Sequence, residues 1–307
     1  MTVLFSVIAP IFGLIVMGAA STGRRWLDSH VIKGMNDFTF FAAMPALLFR
    51  SVVEAPPLKL IAVAGPFLIG AVLLFVVALL LSRWLFKGSL AESGIAGLDG
   101  IYGNTVMLGI PVVDALYGAP GVANLLAIIA VHSAVLLPLG TVVIEADAGT
   151  GRSMLHVVRA SLSGTARNPI VMAIVLAFLW RATGLGLAAP LDRLMEMLGR
   201  AGPPLALFCL GATLPRPRGM TGFGEVMLSS ALKLLALPAL VGLLAYLAGV
   251  RGVAFDVVVL AAAMPTGANA FLLARRYEVR MEESATTVAV STALSVVTLT
   301  VLLAWLG

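Results

Sequence analysis

Long apolar segments recur along the whole chain, and they constrain its fold more than any other feature. Stretches of about 20 residues are nearly free of charge, which is the length that an α-helix needs to cross the hydrocarbon core of a bilayer. Only 11% of the 307 residues are charged and 60% are hydrophobic, whereas about 25% of a soluble domain is charged. The sequence therefore predicts an all-α integral membrane protein.

Ten segments are predicted to cross the membrane, and the loops between them indicate the orientation. The predicted spans cover residues 3–22, 36–53, 59–84, 94–116, 121–145, 168–188, 194–214, 222–249, 255–276 and 284–306. Thirteen of the 20 lysines and arginines lie in loops on the side reached after the first span, and five lie on the opposite side. Because basic loops face the cytoplasm, both termini are predicted on the outer side. The net charge of +5 thus reports orientation and does not indicate a nucleic-acid partner.

The longest polar connection divides the chain near its midpoint. Residues 1–146 and 167–307 each contain five predicted spans, and residues 147–166 form a cytoplasmic connection. An odd number of spans places the halves in opposite orientations, which is the geometry of an inverted repeat. The segment 44–49 also resembles the segment 203–208, and each lies in the second span of its half.

The fourth span contains a predicted helix break. Glycine recurs at positions 94, 97, 100 and 103, so one helix face allows another backbone to approach closely. Tight packing alone is one interpretation of this pattern. The step Gly103-Asn104-Thr105 favours a break, because glycine is costly inside a helix and the two polar side chains compete for backbone hydrogen bonds.

The ninth span has the same position in the second half and contains a second predicted break. Pro265 removes a backbone donor and clashes with the preceding turn. A lone proline kink is usually structural, but two breaks of matching position predict a crossing of two half-helix pairs. Unwound backbone at this depth must be buried in protein or line a wet cavity, and each half-helix N-terminus favours an anion such as a carboxylate. The residues expected to line this site are Gly103, Asn104, Thr105, Pro265, Thr266, Gly267 and Asn269.

Five short segments, in their order and spacing, resemble the auxin efflux carrier family, which includes plant auxin exporters and bacterial malonate and malate carriers. The segments are residues 41–49, 103–111, 167–170, 233–238 and 264–269, so the resemblance covers essentially the whole chain. It implies a ten-helix fold shared in outline with bile-acid sodium symporters, in which spans four and nine cross. It also implies elevator-type transport, in which spans three to five and eight to ten move against a scaffold of spans one, two, six and seven. A homodimer in a bacterial inner membrane is the corresponding expectation.

Two departures from the plant members concern the substrate. Plant members have a proline where Gly103 precedes Asn104 in this chain, and their long central cytoplasmic loop is reduced here to residues 147–166. Auxin is therefore a poor substrate candidate. Small mono- or dicarboxylates such as malonate or malate are expected instead.

Three ionisable residues fall deep within predicted spans and are candidates for ion coupling or charge compensation. Lys233 is either a fixed positive charge near the crossing or a structural cation that contacts carbonyls, since a charge at this depth needs a partner. His132 is either a proton carrier or a neutral histidine that bridges two helices. Asp99 pairs with Lys233, holds a proton or faces cytoplasmic water. The coupling ion, proton or sodium, is left open.

Other classes of membrane protein have weaker support. The sequence has no His-Glu-x-x-His or Gly-x-Ser-x-Gly motif and only three histidines, so an enzyme is not expected. The single cysteine, Cys209, excludes an intrachain disulfide and a cysteine-rich metal site, and no cofactor or metal is expected. A carrier of small organic anions, in contact with membrane lipid, fits better than a channel because the polar residues cluster at two points. A sodium-coupled carrier and an anion receptor without transport activity are the alternatives.

Overall fold

The computed structural model describes residues 2–24, 26–54, 60–148, 163, 168–215 and 222–306. Within these residues the regular secondary structure is helical, with no strand. The α-helices are α1 (Thr2–Gly23), α2 (Ser29–Phe38), α3 (Met44–Glu54), α4 (Leu60–Phe86), α5 (Leu90–Ile101), α6 (Ile110–Ala148), α7 (Pro169–Ala182), α8 (Ala189–Thr213), α9 (Phe223–Ala231), α10 (Leu237–Leu247), α11 (Val253–Ala263), α12 (Ala268–Tyr277) and α13 (Met281–Leu306). Three π-helical segments accompany them, at Thr39–Ala43, Thr105–Gly109 and Leu232–Ala236.

Several of these helices are apolar, as a membrane protein requires. In the described part of the chain, four helical stretches are long and apolar enough to cross a bilayer, namely Ala62–Phe86, Thr105–Asp147, Phe223–Leu247 and Met281–Leu306. Shorter apolar helices lie at Ile8–Gly23, Pro169–Ala182 and Val253–Ala263. Most of the predicted connection 147–166, with Arg152 and Arg159 of the orientation argument, falls outside the described residues.

Two helix ends differ from the predicted span boundaries, and local backbone chemistry explains both differences. The second span was expected to begin at residue 36, but α2 begins at Ser29, because the Asp28 carboxylate caps it by accepting the His30 and Val31 N–H groups at 2.8 and 2.9 Å. The sixth span was expected to reach residue 188, but α7 ends at Ala182. The chain leaves the helix there through Gly184, which has a φ of +71°.

The described residues cluster into two compact units. Unit 1 falls within residues 1–59, 106–127 and 165–214, and unit 2 falls within residues 60–105, 128–164 and 215–307. Helix α6 contributes to both units, and it is interrupted at Gly118, whose φ of +58° is not helical. The predicted boundary between the fourth and fifth spans lies at this glycine.

Unit 1 is held together by close contact between α1 and α8 and by polar contacts of α3. A Cβ atom at Gly18 would overlap the Phe208 carbonyl oxygen, and one at Gly211 would overlap the Ile15 carbonyl oxygen. Glycine at both positions therefore lets the two backbones touch, as small residues do between membrane helices. On α3, the Arg50 guanidinium donates two hydrogen bonds to the Asp192 carboxylate of α8, at 2.7 and 3.3 Å.

Unit 2 surrounds two short helices, α5 and α11, with other helices. Helix α5 packs against α4, α9, α12 and α13, and α11 packs against α4, α10 and α13. The side chains of α11 from Val257 to Ala263 are all buried, so this continuous apolar run faces protein on every side. Both buried helices end at the residues that the sequence singled out.

Candidate functional site: the crossing of two broken helices in unit 2

Both helices stop where the sequence predicts a break. Helix α5 ends at Ile101, and the next helical residue is Thr105. Helix α11 ends at Ala263, and α12 begins at Ala268. Met264 has a ψ of 141°, because the residue before a proline is driven out of the helical region.

The two breaks are hydrogen-bonded to each other. Gly103 and Thr266 form an antiparallel bridge. The Asn104 N–H donates to the Pro265 carbonyl at 2.7 Å, and the Gly267 N–H donates to the Tyr102 carbonyl at 2.8 Å. The bridge thus satisfies backbone groups that could not remain unpaired at this depth.

Close approach of the two backbones requires glycine at position 267. A Cβ atom there would lie 3.0 Å from the Gly103 carbonyl oxygen and 3.1 Å from both the Gly103 carbonyl carbon and Tyr102 Cδ1. Two of these atoms belong to the backbone and cannot move aside as a flexible side chain would. The sequence predicts that Gly267 lines the site, and the structure gives it a steric role.

Gly103 loses one helical hydrogen bond at the break, and two side chains replace it. In a continuous helix the Gly103 N–H would donate to the carbonyl of Asp99. Instead, the Gly103 N–H donates to His132 Nε2 at 3.3 Å, and the Asp99 carbonyl accepts the Thr266 hydroxyl at 2.7 Å. Both halves of the broken bond are therefore paired with other groups.

Thr266 loses the equivalent bond in the second helix, and it is replaced in the same way. A continuous helix would pair the Thr266 N–H with the carbonyl of Ala262. Here the Thr266 N–H donates to Ser291 Oγ at 3.0 Å, and the Ala262 carbonyl accepts Lys233 Nζ at 2.5 Å. His132, Thr266, Ser291 and Lys233 thus pair with the four backbone groups of these two lost bonds.

Lys233 acts as the cation at the C-terminal end of a half-helix. It lies in the π-helical segment Leu232–Ala236 and is fully buried. The carbonyl it binds belongs to the last turn of α11, where the helix dipole is negative and a cation is stabilising. Its side chain also lies beside Gly103, because a Cβ atom there would be 3.3 Å from both Cε and Nζ. Of the two interpretations from the sequence, contact with backbone carbonyls is the one this geometry displays.

His132 bridges helices as a hydrogen-bond acceptor. Its ring is buried, with a tilted contact to Tyr102 at a centroid distance of 4.1 Å and an edge contact to Phe67 at 5.6 Å. Accepting the Gly103 N–H at Nε2 requires that this nitrogen carry no proton. The geometry therefore corresponds to a neutral histidine.

Asp99 is buried and does not face water. Its carboxylate accepts the Ser284 hydroxyl at 2.7 Å, and only 1% of the residue is exposed. Among the described residues it forms no ion pair with Lys233, whose ammonium is bound to Ala262. Two of the three possibilities raised by the sequence, pairing with Lys233 and exposure to cytoplasmic water, are therefore not what the structure has.

The remaining expected site residues lie around the crossing with different exposure. Asn104, Thr105 and Pro265 are buried, whereas Asn269 on the first turn of α12 is exposed. The Asn269 side-chain amide donates to the Tyr102 hydroxyl at 2.9 Å, and that hydroxyl lies 2.7 Å from Ser133 Oγ. Asn269 therefore links the exposed surface of α12 to buried polar groups at the crossing.

Four residues of this arrangement were missed in the sequence, namely Tyr102, Ser133, Ser284 and Ser291. Tyr102 follows the last residue of α5, and each serine lies on a helix that is mainly apolar, where a hydroxyl resembles ordinary packing. The spacing of buried hydroxyls on α13, at positions 284, 287, 291 and 295, follows one helix face. That periodicity is the signal that could have identified Ser284 and Ser291.

Comparison with known proteins identifies the family. Residues 3–303 match the model of a family described as "Membrane transport protein". The chain belongs to this membrane transport family. This match confirms the resemblance inferred from the sequence, and it makes the protein a membrane transporter in broad class.

Relatives of this membrane transport family extend over nearly the full chain. A protein of Rhizobium meliloti named "Putative malonate transporter" is 28% identical over 96% of this chain and 93% of its own length. The "Uncharacterized transporter YfdV" of Escherichia coli is 25% identical over 92% and 91%. "Auxin efflux carrier component 8" of Arabidopsis thaliana is 23% identical over 90% of each chain.

Proposed function

We propose that this protein is a secondary transporter of small organic anions, mono- or dicarboxylates such as malonate or malate, and that the anion binds at the helix crossing. The observation that carries this proposal is the bonded pair of breaks inside unit 2, beside which the exposed Asn269 is hydrogen-bonded to the buried Tyr102 hydroxyl. Relatives that are named as transporters, one of them for malonate, support the substrate class.

The first turn of α12 supplies the electrostatic basis for anion binding. The helix begins at Ala268, and its N-cap residue, Gly267, makes no side-chain capping hydrogen bond. The first N–H groups of a helix point away from it and carry partial positive charge, which favours a carboxylate. Lys233, whose side chain lies beside Gly103, adds a positive charge when it is protonated, and Gly103, Asn104, Thr105, Pro265 and Thr266 complete the proposed site.

The transport mechanism follows from the family resemblance. Ten spans form two inverted five-helix repeats. Equivalent hydrogen bonds replace the lost helical bonds at the two breaks, which is expected if the breaks lie at equivalent positions of a repeat. Spans three to five and eight to ten carry the anion in an elevator movement against spans one, two, six and seven. The protein works as a homodimer in a bacterial inner membrane, with both termini outside and no cofactor.

The membrane potential makes export of an anion more favourable than import. At 100 mV, negative inside, each imported negative charge costs about 2.3 kcal/mol, so a dianion such as malonate costs about 4.6 kcal/mol. Export needs no coupled cation, whereas accumulation inside requires a steep gradient or a co-transported proton or sodium ion.

Reconstitution tests the proposal directly. Purified protein in proteoliposomes is expected to exchange radiolabelled malonate or malate for the unlabelled anion, and Asn104→Ala and Asn269→Ala are expected to reduce binding and flux at least tenfold. Unchanged binding and flux in both folded variants would refute the proposed site. Anion binding without flux in the wild type would instead identify a receptor, and flux that requires sodium would identify a sodium-coupled carrier.

A further inference from the structure

We infer that Asp99 is the group that carries a coupling proton during transport, and that His132 is not. This inference rests on the proposed transport function and names the coupling ion that the proposed site uses. It follows from a comparison of the buried side chains that bond the backbone at the crossing with the Asp99 carboxyl group, which does not.

His132 and Lys233 are both committed to the backbone of the crossing. Protonating His132 at Nε2 would place one N–H against another, since that nitrogen accepts the Gly103 N–H. It would also add a positive charge where the Lys233 ammonium already acts on the ring. Proton binding at His132 would therefore disrupt the site in each transport cycle, which a carrier must avoid.

The carboxyl group of Asp99 is not used in the backbone pairing. Only its carbonyl takes part, as the acceptor of the Thr266 hydroxyl. The carboxylate is held by Ser284, in the first turns of α13. A proton can thus bind and leave the side chain while the backbone of the same residue stays bonded to the crossing.

Groups of opposite effect act on the Asp99 carboxyl. Arg280 and Glu283 act on the carboxyl group from the start of α13, and Arg280 is also paired with Glu225 of α9. Burial opposes a charged carboxylate, whereas Ser284 and the N-terminal end of α13 favour it. Opposing effects of this kind suit a group that changes its protonation state during a cycle.

A proton fits this position better than a sodium ion. Arg280 stands close enough to act on the carboxyl group, and its charge would repel a metal cation bound there. A proton neutralises the carboxylate without needing further oxygen ligands. Arg280, whose charge acts on Asp99, also lines a cavity of about 380 Å³ bordered by Glu92, Asp147 and Tyr277.

The inferred cycle balances in charge and atoms. A hydronium ion gives its proton to the Asp99 carboxylate, which becomes a neutral carboxyl group, and one water molecule remains. The proton then crosses with the anion and returns to water on the other side. A malonate dianion carried with one proton moves a single net charge instead of two.

Proteoliposomes with the membrane potential clamped at zero test this inference. We expect an imposed pH gradient to drive radiolabelled malonate accumulation by the wild type, together with malonate-dependent proton movement recorded by an internal pH dye. Asp99→Asn keeps an oxygen for Ser284, so it is expected to retain malonate exchange within about threefold and to lose at least tenfold of the proton movement. Ser295→Ala, which removes a buried hydroxyl bonded within α13 to the Thr292 carbonyl, is the matched control.

Two further measurements keep the inference open to refutation if Asp99→Asn fails to fold. Ser284→Ala removes the bond that stabilises the carboxylate, so the midpoint of the pH profile of exchange is expected to move to higher pH. Infrared difference spectra between acidic and basic pH are expected to contain a carboxyl C=O band that this variant shifts. An unshifted profile and band would overturn the inference.

The outcomes separate this inference from the proposed function. Malonate exchange by the wild type without proton movement, or with a strict sodium requirement, would support the proposed transport function but overturn the role of Asp99. Proton coupling that survives in Asp99→Asn but is lost in His132→Gln would also overturn it. Absence of exchange with every mono- or dicarboxylate tested would refute the proposed function and this inference with it.

Discussion

Gly103 and Thr266 pair with each other at the point where both helices break, and each has lost the hydrogen bond that a continuous helix would give it. The released N–H groups are bound by His132 and Ser291, and the released carbonyls by Thr266 and Lys233. These replacement bonds help the two unwound segments persist in the interior of unit 2, because each unpaired buried group would cost about 1–3 kcal/mol. Groups outside each broken helix therefore hold the crossing together.

Substituting Gly267 with alanine is expected to displace the crossing. The added Cβ would meet the backbone of Gly103 at 3.0 Å, and such overpacking typically costs about 1–3 kcal/mol. We expect a lower unfolding temperature and weaker malonate binding, measured in detergent by thermal unfolding and calorimetry. Gly65→Ala on α4 adds a Cβ with no neighbour within 4 Å and should change neither quantity.

Replacing Lys233 by methionine is expected to destabilise the protein and weaken anion binding. The variant keeps an apolar stem of similar length but leaves the Ala262 carbonyl without its donor, a loss of about 1–3 kcal/mol. It also removes the positive charge behind the proposed site. Thermal unfolding reports the first effect and the malonate dissociation constant reports the second.

The control for the Lys233 prediction is a substitution of an exposed lysine. Lys33→Met removes an exposed cation paired with Asp37, and exposed pairs contribute little, so both measurements should stay at their wild-type values. A Lys233→Met protein with normal stability would show that the Ala262 contact is dispensable. Lower stability with unchanged affinity would assign Lys233 a purely structural role.

Tyr102 and Asn269 are expected to act as one unit in substrate binding. Tyr102→Phe removes the acceptor of the Asn269 amide, which typically costs about 1 kcal/mol, or roughly fivefold in affinity. Since both substitutions break the same bond, the double variant Tyr102→Phe/Asn269→Ala should bind malonate no more weakly than Asn269→Ala alone. Additive losses in this cycle would show that the two residues act independently. Tyr246→Phe, on an exposed residue of α10, is the control.

The helix breaks could be predicted from the sequence because their chemistry is local. Pro265 removes a helical donor and pushes Met264 into an extended conformation, and Gly103 followed by Asn104 is a poor helix interior. These properties hold whatever surrounds the residues. The same reasoning identified Lys233 and His132, since polar groups deep in an apolar span need partners.

The partners of these residues could not be predicted, because they depend on packing between distant segments. Ser291 and Ser284 become significant only once α13 lies against the ends of α11 and α5. Tyr102 was missed for the same reason, since its hydroxyl is identified by Asn269 and Ser133 and not by its neighbours in sequence. The early start of α2 was missed although its signal is local, because Asp28 precedes a polar helix outside the apolar pattern.

The ion pair between Arg50 and Asp192 predicts an acid-sensitive contribution to the stability of unit 1. The Arg50 guanidinium, which donates a hydrogen bond to the Asp192 carboxylate, holds the pKa of that carboxyl below its ordinary value. A carboxyl whose pKa is lower in the folded state contributes stability above its unfolded pKa, about 3.9, and loses it as the pH falls through the lower folded value. The unfolding temperature should therefore fall between about pH 4 and pH 3 more steeply in the wild type than in Asp192→Asn. Lys33→Met, which disrupts an exposed pair elsewhere in unit 1, should retain the wild-type slope, and identical slopes in wild type and Asp192→Asn would show that the pair contributes nothing.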